Sequence, residues 1–268
     1  MSFATKMSAG LLAAACLCSL SAAEIFSIVD PADFVTPKRV TLDGDSIIVK
    51  GPHFSLNSAK TLTLDPAKKY KISGEFRLKE GEGGRNLYLG FTPFDAEGRQ
   101  ITSVSVNAKA KSDTVLAKAA AEGDTVIYVK DASQWDMKNQ YPRIALNTKP
   151  DYSDLPNYDV VAVVPGSIKQ NGDVWEITLK TPLTKAVPEG TAVRQHMAGA
   201  SSIYVVYHRN LGSEWVSVSG EITGTAEIGV PTKKFWHGTA SVRVLIAMLG
   251  GKNGDVVEMK NIVVEEVE

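Results

Sequence analysis

Apolar and polar residues alternate along several separate stretches of the chain, the signature of half-buried strands. In residues 70–78, Tyr70, Ile72, Phe76 and Leu78 share one face, while Lys71, Ser73, Glu75 and Arg77 share the other. Leu87, Leu89 and Phe91 alternate against Asn86, Tyr88 and Thr92, and Val216, Val218 and Ile222 against Ser217, Ser219 and Glu221. Val242, Val244, Ile246 and Met248 repeat the pattern near the end. Between these runs lie turn residues: Asp43-Gly44-Asp45, residues 81–84, Asp95-Ala96-Glu97-Gly98 and residues 250–254. Glycine supplies the positive φ of tight hairpins, and Asp or Asn tolerates it. Strands joined by such loops predict an all-β chain, an antiparallel sandwich or barrel. The only helix-like stretch is the alanine-rich segment 116–122, too short to stand alone.

The middle of the chain reads as a separate unit. Residues 113–198 hold their own strand patterns at 125–129, 159–164 and 174–179, punctuated by prolines at 142, 150, 156, 165, 182 and 188. One strand pattern stops near Val106 and another starts at Ile203. A small β-domain inserted into a loop of a larger sandwich explains this, because insertion at a loop tip leaves the host core intact. The host would then be discontinuous, formed by residues 24–112 and 199–268 paired in space.

Composition narrows the setting. Lys and Arg number 29 against 30 Asp and Glu, for a net charge of −1, which gives no electrostatic case for nucleic acid or an anionic membrane. Residues 1–23 read as a cleavable signal peptide, with a basic Lys6, an apolar run from Leu11 to Leu20 and the small triplet Ser21-Ala22-Ala23. That run is shorter than the about 20 apolar residues a spanning helix needs, so no membrane span is expected. Both cysteines, Cys16 and Cys18, fall inside it, so a chain cleaved after Ala23 has no disulfide and is secreted, periplasmic or displayed at the cell surface. A competing reading makes Cys16 a lipid-anchor site after Ala13-Ala14-Ala15, although the aliphatic residue usual three positions before the cysteine is missing. The remaining length suffices to bury about 70 to 75% of the unfolded chain's surface, so stability does not require metal or disulfide.

Residues 70–77 (YKISGEFR), 87–101 (LYLGFTPFDAEGRQI) and 259–267 (MKNIVVEEV) together resemble the galactose-binding-like β-sandwiches that serve as carbohydrate-binding modules of secreted proteins. The likeness covers the two flanking parts and leaves the middle unit aside. It implies a jelly-roll-like antiparallel β-sandwich, sugar recognition by loops or one sheet face, and in some members a structural calcium.

A sugar-reading surface needs flat aromatic faces and planar hydrogen-bonding groups. Tyr88 lies opposite the Leu87, Leu89 and Phe91 face; Trp215 precedes its strand on the polar side; Trp236 sits in the loop 233–238. Arg85, Asn86, Arg99 and His208 are the polar candidates around them. Against this, large aromatics usually fill a core, and Trp135 and Trp175 read as core of the inserted unit. Asp43, Asp45 and Asp95 are weak calcium candidates, since turn chemistry alone accounts for them. Tyr152 and Tyr158, in the loop 149–158, are a further surface where a ligand could be met.

Catalytic motifs are missing. The four histidines, His53, His196, His208 and His237, have no zinc-helix spacing, and there is no nucleophile elbow, phosphate loop or dinucleotide fingerprint. Two carboxylates of a glycosidase, or a Tyr/His/Arg lyase, would leave no spacing to read. The expectation is therefore a secreted, non-catalytic protein that binds a polysaccharide or glycoconjugate without a cofactor. The alternatives are an extracellular structural or adhesive protein engaging another protein, and a polysaccharide lyase or glycoside hydrolase on the same scaffold.

Overall fold

The computed structural model describes residues 22–81, 86–208, 210–229 and 233–268. Residues 1–21 of the signal-like segment, with Cys16 and Cys18, lie outside the described residues, as do Arg85 and the side chain of His208. No helix among the described residues is long and apolar enough to cross a membrane.

Alternation becomes strand wherever it was strongest. In β6 (Lys69–Glu80), burial switches residue by residue, with Tyr70, Ile72, Phe76 and Leu78 inward. It is preceded by β1 (Ala23–Ile28), β2 (Val40–Asp43), β3 (Ser46–Lys50), β4 (Phe54–Asn57) and β5 (Leu62–Thr63), and followed by β7 (Asn86–Phe94) and a single helical turn, α1 (Ser103–Val106). The middle segment supplies β8 (Thr114–Val115), β9 (Val126–Val129), β10 (Pro142–Leu146), β11 (Val160–Ala162), β12 (Lys169–Asn171), β13 (Val174–Thr178) and β14 (Ala192–Met197). The chain ends with β15 (Ile203–His208), β16 (Val216–Thr223), β17 (Ser241–Leu249) and β18 (Val256–Val267).

Pairing is antiparallel throughout these strands. One sheet runs β16-β6-β18-β3-β2, with β1 also on β18; the facing sheet runs β15-β7-β17-β4, with β5 also on β17. The partners β3–β18, β4–β17, β6–β16 and β7–β15 are nested first with last, second with seventh, third with sixth and fourth with fifth, as in a long hairpin rolled into two sheets. That is the jelly-roll arrangement of an all-β sandwich. Ile72, Phe76, Val257 and Met259 from one sheet meet Leu87, Leu89, Phe91, Val244 and Ile246 from the other in one buried cluster. Each such side chain contributes about 1.5–3 kcal/mol by leaving water.

The inserted unit leaves the roll between β7 and β15, at the tip of the rolled hairpin, where it interrupts none of the nested pairs. It contains a sheet of order β11-β10-β14-β8 and a second of order β12-β13-β9. Its own cluster includes Leu116, Ile127, Ile144, Ile177 and Leu179, with Trp135 buried and Trp175 packed at the margin. The segment 116–122 is not helical: Leu116 bridges Val129, Ala120 bridges Val187, and the Ala117 N–H donates to Tyr128 O at 2.8 Å. Pairing with a neighbouring strand outweighs alanine's helix preference in a stretch this short. Among the described residues, the one α-helical turn forms instead at Ser103–Val106, where the sequence carries no helical period.

A row of polar residues on β14, Arg194, Gln195 and His196, is fully buried. Arg194 is neutralised by Asp113 at 2.8 Å and Asp154 at 3.0 Å, and donates to Lys149 O at 2.8 Å. Burial lowers the pKa of His196. The ring is therefore neutral, and its Nδ1, 2.8 Å from Val104 O, donates and ties the inserted unit to α1.

Candidate functional site

β7 places Tyr88 on the outer face of its sheet because Leu87 and Leu89 point into the core. Its neighbour β15 reads Ile-Tyr-Val-Val-Tyr-His, in which strict alternation would send Tyr204 and Tyr207 to opposite faces. A β-bulge between Tyr204 and Val206 inserts one extra residue, Val205, and re-phases the strand. Tyr204 then pairs with Gly90 and Tyr207 with Tyr88, and both tyrosines point outward, 37% and 46% exposed. Gly90 is what lets the bulge form: a Cβ there would stand 2.0 Å from the Ile203 carbonyl oxygen.

The three rings form one group. Tyr88 lies with its centroid 4.7 Å from Tyr204 at 48° and 5.0 Å from Tyr207 at 54°. The Tyr207 hydroxyl donates to Asn86 Oδ1 at 3.4 Å, and Leu249, 43% exposed, pairs with Asn86 from β17. Leu245 and Ala247, in register with Gly90 and Tyr88 on the same face, are buried, so the ground around the rings is apolar. The surface thus offers tilted π faces, phenolic hydroxyls and a side-chain amide at close spacing, the groups that meet the C–H face and hydroxyl rim of a pyranose.

The other sequence candidates lie elsewhere. Trp236 is 1% exposed, packed in the sandwich core beside Phe235. The loop 233–238 is drawn inward because the Phe235 N–H donates to Gly224 O and the Ala226 N–H to Phe235 O, both at 2.8 Å. Trp236 therefore presents no face to a ligand. Trp215 sits on the opposite sheet, where the Arg77 guanidinium and the Lys260 ammonium each lie 4.7 Å from its ring centroid, so cations occupy the ring. His208 pairs with Leu87 through its backbone.

Arg99 belongs to the junction between host and inserted unit. Its Nε donates to Asp95 Oδ2 at 2.8 Å, and its guanidinium lies 4.2 Å from the Tyr158 ring centroid. The Tyr158 hydroxyl donates to the same Asp95 Oδ2 at 2.8 Å. Burial is the largest single influence on Asp95 and raises its pKa, but the hydrogen bonds from Tyr158 and Arg99 together outweigh it and hold the carboxyl below its ordinary value. Tyr158 is thus committed to a contact within the protein, and Tyr152 lies under Arg194 at 4.5 Å.

The calcium candidates are engaged by cations. Asp43 pairs with Lys79, Asp45 lies 3.6 Å from Lys260, and Asp95 is saturated as described. Among the described residues, no three His, Cys, Asp or Glu side chains gather into a metal-binding group.

No family model matches the chain, and neither a curated protein nor a solved structure matches it.

Proposed function

We propose that this is an exported, non-catalytic glycan-binding protein that holds its ligand on the outer face of the sheet carrying Tyr88, Tyr204, Tyr207 and Asn86. One observation carries this reading: three tyrosine rings converge, partly exposed, over apolar ground, with an amide at their edge. Isolated exposed aromatics are common on any protein, whereas a contiguous group is the mark of a binding surface. Export is supported by the layout of residues 1–23 alone.

The test is retention of soluble polysaccharides by the wild-type chain and by Tyr207→Ala. Removing the most exposed ring should weaken retention about tenfold, equivalent to about 1.4 kcal/mol. The melting temperature should move by no more than about 2 °C, as expected for a surface substitution. Unchanged retention would remove the site. Shortening of the polymer would favour a hydrolase or lyase, and capture of a protein ligand in place of any glycan would favour the adhesive reading.

A further inference from the structure

We infer that the cleft where the inserted unit meets the host is a second binding site, for a hydroxylated ligand bearing one carboxylate, of which a hexuronic acid is the simplest example. This does not rest on the tyrosine face, which lies on other elements.

The cleft encloses about 420 Å³, within the range of small-molecule sites. Host residues Thr102 and Ser105 form one wall, and the inserted unit supplies Arg143, Tyr158, Thr181 and Thr184. Arg143 decides its chemistry. It stands on β10 as cross-strand partner of the buried His196 on one side and Ala162 on the other, so it shares the sheet face that looks toward α1. Its one side-chain hydrogen bond among the described residues runs from Nη1 to Pro142 O at 3.0 Å, and no carboxylate among them pairs with it. The rest of a five-donor guanidinium fork is left to the cleft.

Arg194 shows what this protein does with a structural arginine on the same sheet face: two carboxylates and a carbonyl are brought to it. Arg143 receives no such treatment. The one carboxylate in the cleft wall, Asp159, is occupied by Lys185 and Asn147, each at 2.8 Å. The cleft therefore carries one uncompensated positive charge, in a planar form that takes a carboxylate through two parallel hydrogen bonds. The hydroxyls of Thr181 and Thr184 have no hydrogen-bond partner among the described residues and supply the sites for neighbouring ligand hydroxyls. Tyr158, bonded to Asp95, and Asn157, bonded to Leu146 O and Asp154, are already fixed and make the wall rigid.

Calorimetric titration of the full chain with galacturonate, glucose and acetate separates the parts of this proposal. Galacturonate should bind saturably at one site, with glucose and acetate each at least tenfold weaker. Arg143→Gln should lower galacturonate affinity at least tenfold while its retention of soluble polysaccharides stays at the wild-type level, so failure here is distinct from failure of the tyrosine site. Should Arg143→Gln not fold, the double variant Thr181→Val, Thr184→Val must show the same loss of affinity. Absence of saturable galacturonate binding, full affinity in Arg143→Gln, or acetate binding as tightly as galacturonate would overturn the assignment.

Discussion

The two outer faces of the sandwich arise from the same alternation and are built differently. On the six-stranded sheet, outward residues pair across strands: Lys71 with Glu265 at 3.1 Å, Arg77 with Glu258 at 2.5 Å, and Lys79 with Asp43. Trp215, just before β16, lies under one of those cations, Arg77, and under Lys260. On the five-stranded sheet, the outward positions near β15 are tyrosines, an asparagine and leucine. The first face is crossed by ion pairs between its strands. The second carries a group of partly exposed tyrosine rings over apolar ground. Period-two patterning says only which side is outward; what stands at those positions decides whether the side is closed or receptive.

The largest effect should come from removing the device that builds the receptive face. Gly90→Ala sets a methyl group 2.0 Å from the Ile203 carbonyl, against backbone that has little room to yield. Overpacking of this kind costs about 2–3 kcal/mol. Because the bulge sets the phase of β15, glycan retention should fall together with stability, in contrast to Tyr207→Ala. Denaturant midpoints and polysaccharide retention measured on the same sample check this. A stable variant with full retention would show that the bulge is not what places the tyrosines.

The bulge also marks where the sequence stops being legible. The nine residues 70–78 declare their strand and its inward face without help, and the turns around them fix the fold class. Tyr88 was readable for the same reason, with Asn86 two residues before it. Tyr204 and Tyr207, three apart, cannot both be outward in a regular strand, and the small hint was a glycine at position 90, in the middle of an otherwise apolar strand. Trp236 failed as a candidate because a polar, basic loop sequence concealed two backbone hydrogen bonds that fold it into the core. Arg99 and Tyr158 were singled out separately as surface groups, and no local pattern announces that Asp95 joins them.

The junction gives an intermediate effect that the two faces should not share. Tyr158→Phe removes a hydrogen bond to a buried carboxylate, a loss of about 1.5 kcal/mol in stability. The same bond sets the pH limits. Asp95 has its pKa lowered below 3.8, so its contribution is complete above that value and is lost as pH falls through the lower folded-state value. Tyr158 has its pKa raised above 10.0, chiefly by burial and then by the Asp95 carboxylate. Its contribution is complete below 10.0 and is lost as pH rises through the higher folded-state value. Between pH 5 and 9 the wild-type melting temperature should therefore owe nothing to this pair's titration. At both extremes the difference between wild type and Tyr158→Phe should shrink. A difference that persists unchanged through the acid limit of the folded state would mean that the Asp95 bond is not its source.

The smallest effect should fall on the closed face. Lys71 and Glu265 are 37% and 24% exposed, so water competes for both and side-chain ordering offsets much of the attraction. Pairs of this kind contribute about 0–1 kcal/mol, and Lys71→Ala should cost about 0.5 kcal/mol. Raising the salt concentration should mimic part of that loss, since exposed charges are screened within about 10 Å at 0.1 M. Glycan retention should not change. This is the sharpest check on the comparison, because Lys71 and Glu265 also edge a shallow groove of about 450 Å³ floored by Ser73, Ser217 and Ser219. If Lys71→Ala weakened retention while Tyr207→Ala did not, the roles of the two faces would be exchanged, and the ion pairs would be positioning a polar ligand over the serines.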